Sequence, residues 1–176
     1  MRTGYIEKSK RKTILFLADD MRTQSGVGVM SREIVEGTCH RYNWIQIGAS
    51  VNNPDAGKIL DMSEAVAKIT GVEDPSVFVY PYKGYGDSRV IRYLMEKDKP
   101  DAILHFTDPR YWMWLYQIEH EIRQKIPIFY YSIWDCPPAP MYNKSYYRSS
   151  DAIFTISKQT HGLVKQVLGE NEFVEI

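Results

Sequence analysis

Lys99-Pro-Asp-Ala-Ile-Leu-His-Phe-Thr-Asp-Pro109 decides the fold. Asp101–Phe106 is a short, nearly apolar run bounded by charge and proline, the pattern of a strand buried on both faces. Asp108-Pro109 then opens a helix, with Asp at the N-cap and Pro in the first turn. The spacing predicts that this helix runs on to about Gln124. A strand handing over directly to a helix is the repeating unit of a parallel sheet.

The same unit recurs on both sides. Upstream, Thr13–Ala18 reads as a buried strand, Ser25–Gly28 as a loop and Val29–Cys39 as a helix, with Met30, Ile34 and Val35 at helical spacing. Trp44–Ala49 is a second strand. A short strand over Lys58–Met62, helical turns from Ser63, a strand at Val77–Tyr80 and a helix over Ser88–Lys97 follow. Downstream, Ile128–Ile133 is a strand, and Pro137, Pro138 and Pro140 force an irregular loop. Asp151–Ile156 is the next strand; Ser157 caps a helix that Gly169 ends, and Phe173–Ile176 begins another strand. This alternation predicts a doubly wound, mostly parallel α/β sheet with helices on both faces, Rossmann-like, over residues 13–176. Residues 1–12, with Arg2, Lys8, Lys10, Arg11 and Lys12 against Glu7, read as a polar basic leader exposed to solvent.

Composition sets the outer bounds. The 176 residues suit a single domain, and 22 basic side chains balance 22 acidic ones. Nucleic-acid binding through net charge is not expected. No apolar run approaches the roughly 20 residues of a membrane helix, and no signal-peptide pattern opens the chain, although the basic leader leaves peripheral membrane contact open. Cys39 and Cys136 form no ligand spacing, so neither a metal site nor a disulfide is expected and a cytoplasmic location is the default.

Ligands of such sheets sit outside the carboxyl ends of the strands. In the first loop, Gly26, Val27 and Gly28 stand where backbone N–H groups can meet an anion at a helix start. Gly26-x-Gly28-x-x-Ser31 approaches a dinucleotide fingerprint, but the second strand ends without an acid until Asp55, which counts against NAD. A tight strand-to-helix turn explains the same glycines. Asp19-Asp20 could serve as base, metal ligand or turn. His105, Thr107 and Asp108 mark the next strand end, where His105 reads equally as a core histidine and Asp108 as a helix cap. Ser132-Ile-Trp-Asp135 and Ser157 mark two more, with Ser157 also serving as an N-cap. Of 23 aromatic residues, 17 are Tyr or Trp, a bias toward rings that combine a flat apolar face with a polar tip. Stacking on a sugar or a base uses both features.

Four segments together resemble the N-terminal, acceptor-side domain of a GT-B glycosyltransferase of the group-1, family-4-like kind. They are Ser25–Ile34, Lys99–Pro109, Ile126–Asp135 and Ser150–Lys158, in register over about Thr13 to Leu168. The resemblance implies a Gly-rich cleft floor at Gly26–Gly28, a strand-end histidine at His105, and an aspartate at Asp135 with Trp134 in a histidine's place. Thr107 replaces a second histidine that touches the donor sugar in relatives. The implied activity is sugar transfer from a nucleotide-sugar to a carbohydrate or other hydroxyl acceptor, with retention. His105, Asp108 and Asp135 are its candidate catalytic residues; Gly26, Val27, Gly28, Thr107 and Ser157 are its candidate ligand contacts. The resemblance also implies a separate C-terminal donor-binding domain that holds most of the nucleotide-sugar, and an inactive isolated chain. A stand-alone nucleotide-binding module and a non-catalytic interaction domain are the alternatives.

Overall fold

The computed structural model describes residues 3–175. Seven strands form one sheet: β1 Lys12–Asp19, β2 Tyr42–Ser50, β3 Leu60–Asp61, β4 Val77–Lys83, β5 Ala102–Phe106, β6 Ile128–Ser132 and β7 Ala152–Thr155. The main helices are α1 Gly26–Thr38, α2 Ser63–Thr70, α3 Ser88–Lys97, α4 Met113–Gln117, α5 Glu119–Ile122, α6 Lys144–Arg148 and α7 Lys158–Leu168. The spatial order is β3-β4-β2-β1-β5-β6-β7, all parallel except β3, which runs against β4. The chain winds outward from β1 through β2 to β4, returns, and winds the other way from β5 to β7. The winding reverses between β1 and β5, where two neighbouring carboxyl ends part their loops.

Right-handed crossovers decide which face each helix covers. α1 and α2 pack on one face against Phe16, Trp44 and Val79, through Val35 and Val66. α3, α4 and α5 cover the other, where Leu17, Ile47 and Ile103 meet Ile91, Leu94 and Leu115. α6 and α7 meet β6 at Tyr130, two residues along from Ile128 and hence on the α3–α5 side. The α1 face is therefore open toward the amino ends of β5–β7, while Phe106 at the carboxyl end of β5 is buried. There a groove of about 510 Å³ is lined by Ile14, Ile34, Leu104, Phe129 and Phe154, and Phe154 is 52% exposed.

Two aspartates tie the amino ends of the strands. Asp101 accepts from Thr13 N at 2.8 Å while its own N–H donates to Thr13 O. Asp151 does the same one strand over, accepting from Ile128 N at 2.8 Å and donating to Ile128 O. The Pro-Asp-Ala and Ser-Asp-Ala segments are thus strand clamps, remote from the carboxyl-end loops.

Several expectations are corrected. Residues 3–10 are mostly exposed, as expected of the leader, but Arg11 is 5% exposed, and its guanidinium binds Asp74 Oδ1 at 2.6 Å, Asp74 O at 2.8 Å and Ile6 O at 2.7 Å. Tyr5 Oη also donates to Asp74, so the segment is strapped to the turn before β4. Met1 and Arg2 lie outside the described residues. The long helix after Asp108 is broken into a 3-10 turn at Pro109–Trp112 followed by α4 and α5, because Trp112 and Ile118 leave helical backbone angles. Those breaks let Trp112, Leu115, Tyr116 and Ile122 all reach the core. The Lys58–Met62 strand shrinks to Leu60–Asp61. Residues 173–175 are not a strand; Phe173 packs edge-on against His161 at 4.9 Å, and Ile176 lies outside the described residues.

Candidate functional site

The winding reverses at the neighbouring carboxyl ends of β1 and β5, which pair with Leu17 opposite His105. α1 begins at Gly26, three residues earlier than its periodicity predicts, because Ser25 caps it: Ser25 Oγ accepts from Gly28 N at 2.9 Å. Gly28 is required by crowding. A Cβ there would lie 2.2 Å from Thr23 Oγ1 and 2.9 Å from Asp20 O. Gly26 meets nothing within 4 Å, so its side of the helix start is open, and Val27 packs into the core. Gly26 and Val27 N–H have no acceptor within the helix. Beside them, Asp19 accepts from Ser25 Oγ at 2.7 Å and so places a carboxylate near the α1 start.

Asp20 is spent on structure. It is 1% exposed, and Arg22 grips it with Nη2 at 2.7 Å and Nε at 3.0 Å while Asn53 Nδ2 donates at 2.9 Å. Burial opposes its ionisation, but these donors hold its carboxyl below the usual range. Arg22 also binds Asp55 at 2.7 Å, so the acid nearest the end of β2 is committed as well. Gly48 makes room for this, since a Cβ on it would stand 3.0 Å from Asp20 Cβ.

His105 faces inward from β5 and is fully buried. Its Nδ1 shares a 2.7 Å hydrogen bond with Tyr116 Oη, and its ring stacks on Tyr130 at 5.2 Å. Burial pulls its pKa down to about 3, against the opposing pull of Asp108, so it is neutral at ordinary pH. Thr107 follows with φ 153°, an uncommon backbone for a β-branched residue, and Tyr130 Oη donates to its carbonyl. Asp108 caps the turn, accepting from Arg110 N at 3.0 Å and pairing with the Arg110 guanidinium. Burial raises its pKa, but Arg110 more than offsets that and keeps it ionised. Three buried polar atoms next to these strand ends have no partner: His105 Nε2, Trp112 Nε1 and Ser132 Oγ.

The outer lip is aromatic. Tyr85 and Tyr111 stack at 4.7 Å, and Tyr111 is 56% exposed. Arg110 lies 5.1 Å from the Tyr142 ring, and Tyr142 meets Trp134 edge-on at 5.9 Å. Burial first, then the charge of Asp19, raise the Tyr85 pKa.

Gly26–Gly28 and Thr107–Asp108 thus follow neighbouring strand ends, since β1 and β5 pair, while Gly28 and His105 themselves are buried. Asp135 is exposed and makes no hydrogen bond or ion pair with a described residue. Ser157 caps α7, accepting from Thr160 N at 3.1 Å at the end of β7, two strands away from β5. Tyr85 is the residue the sequence pattern passes over. It sits in Lys83-Gly-Tyr-Gly-Asp87, where both flanking glycines have φ 78° and turn the chain so that the half-buried ring packs between the core and Tyr111. Among the described residues no group of three or more His, Cys, Asp or Glu side chains can hold a metal, and no helix is long and apolar enough to cross a membrane.

No protein-family model matches the chain, and no curated protein matches it.

Proposed function

We propose that this chain is the acceptor-side half of a glycosyltransferase that moves a sugar from a nucleotide-sugar to a hydroxyl acceptor, working with a second, donor-binding domain. The observation that supports this most is the loop after β5, where Tyr111 stands exposed on the half-buried Tyr85 and the nearby arginine, Arg110, is already committed to Asp108. A site that had to hold a diphosphate alone needs open cationic or N–H donors. Here Gly26 and Val27 N–H offer a partial anion contact, and Asp19 beside them offsets it. The division of labour suits a domain that positions an acceptor while another binds the donor.

Residue roles follow from the geometry. His105 is neutral and fixed to Tyr116, so it belongs to the core beneath that loop and does not shuttle protons. Asp108 holds the 109–112 turn in place through its cap and its Arg110 pair. Asp135, exposed and unpaired, is the carboxylate free to meet a ligand.

Incubation with UDP- and GDP-sugars tests the reading. The chain alone should transfer nothing, whereas fusion to a donor-binding domain should yield transfer to an added acceptor. Transfer by the chain alone, or micromolar binding of a mononucleotide or dinucleotide, would overturn it. The apolar groove toward the amino ends of β5–β7 favours a second reading, a half that assembles with a separate chain. Light scattering with and without that partner separates the two.

A further inference from the structure

The two edges of the sheet are finished differently. β3 closes one as a two-residue antiparallel strand carrying Asp61. β7 ends the other with Ala152-Ile-Phe-Thr155, a run without charge, proline or glycine, the composition that leaves an edge open to pairing. Asp151 N–H donates to Ile128 O, so Asp151, Ile153 and Thr155 turn their backbone toward β6 while Ala152 and Phe154 turn theirs outward. A groove runs along each face of this edge. The one on the α7 side, about 680 Å³, is lined by Ile153, Val164, Leu168 and Phe173, and the groove of about 510 Å³ lies on the other. Phe154 lines both. An extended segment laid along β7 fills the two grooves with alternate side chains.

We propose that this edge pairs with β7 of a second copy of the chain, antiparallel across a two-fold axis, with Ile153 opposite Ile153. The sequence of β7 selects both the occupant and the register. Ala152 of each copy then exchanges backbone hydrogen bonds with Phe154 of the other, which uses every outward-facing residue of both strands. The smallest side chain of the strand thereby meets the largest. Ala152 stands beside Phe129 in the sheet, and Phe129 already packs edge-on against Phe154 at 5.9 Å, so the ring of the second copy extends an aromatic surface over the groove. On the α7 side the two Ile153 side chains meet as a β-branched pair. The one charge at this edge, Asp151, falls opposite Thr155, so no like charges face each other. Sliding one copy by two residues sets Ile153 against Asp151 in one direction and Phe154 against Phe154 in the other. The pairing is independent of the sugar-transfer reading and carries one sheet through both copies.

Sedimentation of the 176-residue chain at submillimolar concentration should show a monomer–dimer equilibrium that stops at the dimer, because a two-fold contact consumes the edge. Ala152→Pro removes an outward N–H and leaves the bonds to β6 intact, so it should weaken association at least about tenfold with an unchanged melt. A gain of signal tests the register separately from stability. Cys39 is buried and Cys136 exposed, so the background is Cys136→Ser. There Ile153→Cys should oxidise to a disulfide-linked dimer, since facing residues at a non-hydrogen-bonded position stand about 4.5 Å apart between Cα atoms, within the span of a disulfide. Phe154→Cys, out of register with its own copy, should not. A chain that stays monomeric, a dimer untouched by Ala152→Pro, or cross-linking at 154 in preference to 153 would each overturn the proposal. So would an apolar strand-forming peptide that binds this edge on a monomeric chain, a result that assigns the edge to a different partner.

Discussion

At the scale of single residues, the two glycines of the first loop play opposite parts. Gly28 is walled in by Thr23 and the Asp20 carbonyl, so Gly28→Ala should destabilise the fold by about 1–3 kcal/mol in urea denaturation. Gly26→Ala has open space and a helical first turn, and should leave stability unchanged or slightly higher. His105 makes a second prediction. Its folded pKa of about 3 lies below the roughly 6.5 of an unfolded histidine, so unfolding takes up a proton between those values. Its contribution is complete above about pH 6.5 and declines as pH falls toward 3, by up to about 1.4 kcal/mol per pH unit. Urea denaturation from pH 7 to pH 4 should show this slope, and His105→Gln should flatten it. Proton-resolved NMR should find no titration of this imidazole above pH 5. The sequence left His105 open between ligand and core residue, because the choice depends on Tyr116 and Tyr130, which a strand pattern does not place.

At the scale of elements, the strap over residues 3–11 depends on one arginine. Arg11→Ala removes three bonds at once and leaves Asp74 without its cation. It should cost about 1–3 kcal/mol, less than a fully buried pair because Asp74 is a third exposed, and should open residues 3–11 to limited proteolysis. Six of the seven strands were legible in the sequence as apolar runs at Thr13–Ala18, Trp44–Ala49, Val77–Tyr80, Asp101–Phe106, Ile128–Ile133 and Asp151–Ile156, since a strand buried on both faces carries its burial in composition, and the seventh, β3, was legible within Lys58–Met62 but not at its true length. Charge misled at the leader. Arg11 reads as solvated until its partner, more than sixty residues on, is known. The helix after Asp108 was legible at its start, where Asp and Pro act locally, and not at Trp112 or Ile118, where packing against the sheet breaks it. The strand end at His105-Phe106 and the cap at Asp108 were legible for the same local reason. Tyr85 reaches the site from α3's leading loop and was not.

At the scale of the whole molecule, right-handed winding accounts for both the reversal point and the open groove. Every crossover after β5 lands on the α3–α5 side, so Leu104, Phe129 and Phe154 keep an uncovered surface. The chain alone should associate weakly with itself and bind an apolar dye, and Phe154→Glu should reduce both in light scattering and dye fluorescence. The aspartate clamps divide the molecule in another sense. Asp101 and Asp151 fix the spacing of β1 with β5 and of β6 with β7 from the amino ends, opposite the ends that carry the candidate loops. Strand register is thereby secured without the help of the loops at 19–25, 83–87 and 133–140. The exposed stretch 135–138 can therefore be exchanged or lengthened while the scaffold keeps its alignment, whereas 19–25 is held by the buried Asp20 and Met21, so new recognition surfaces are best grafted after β6.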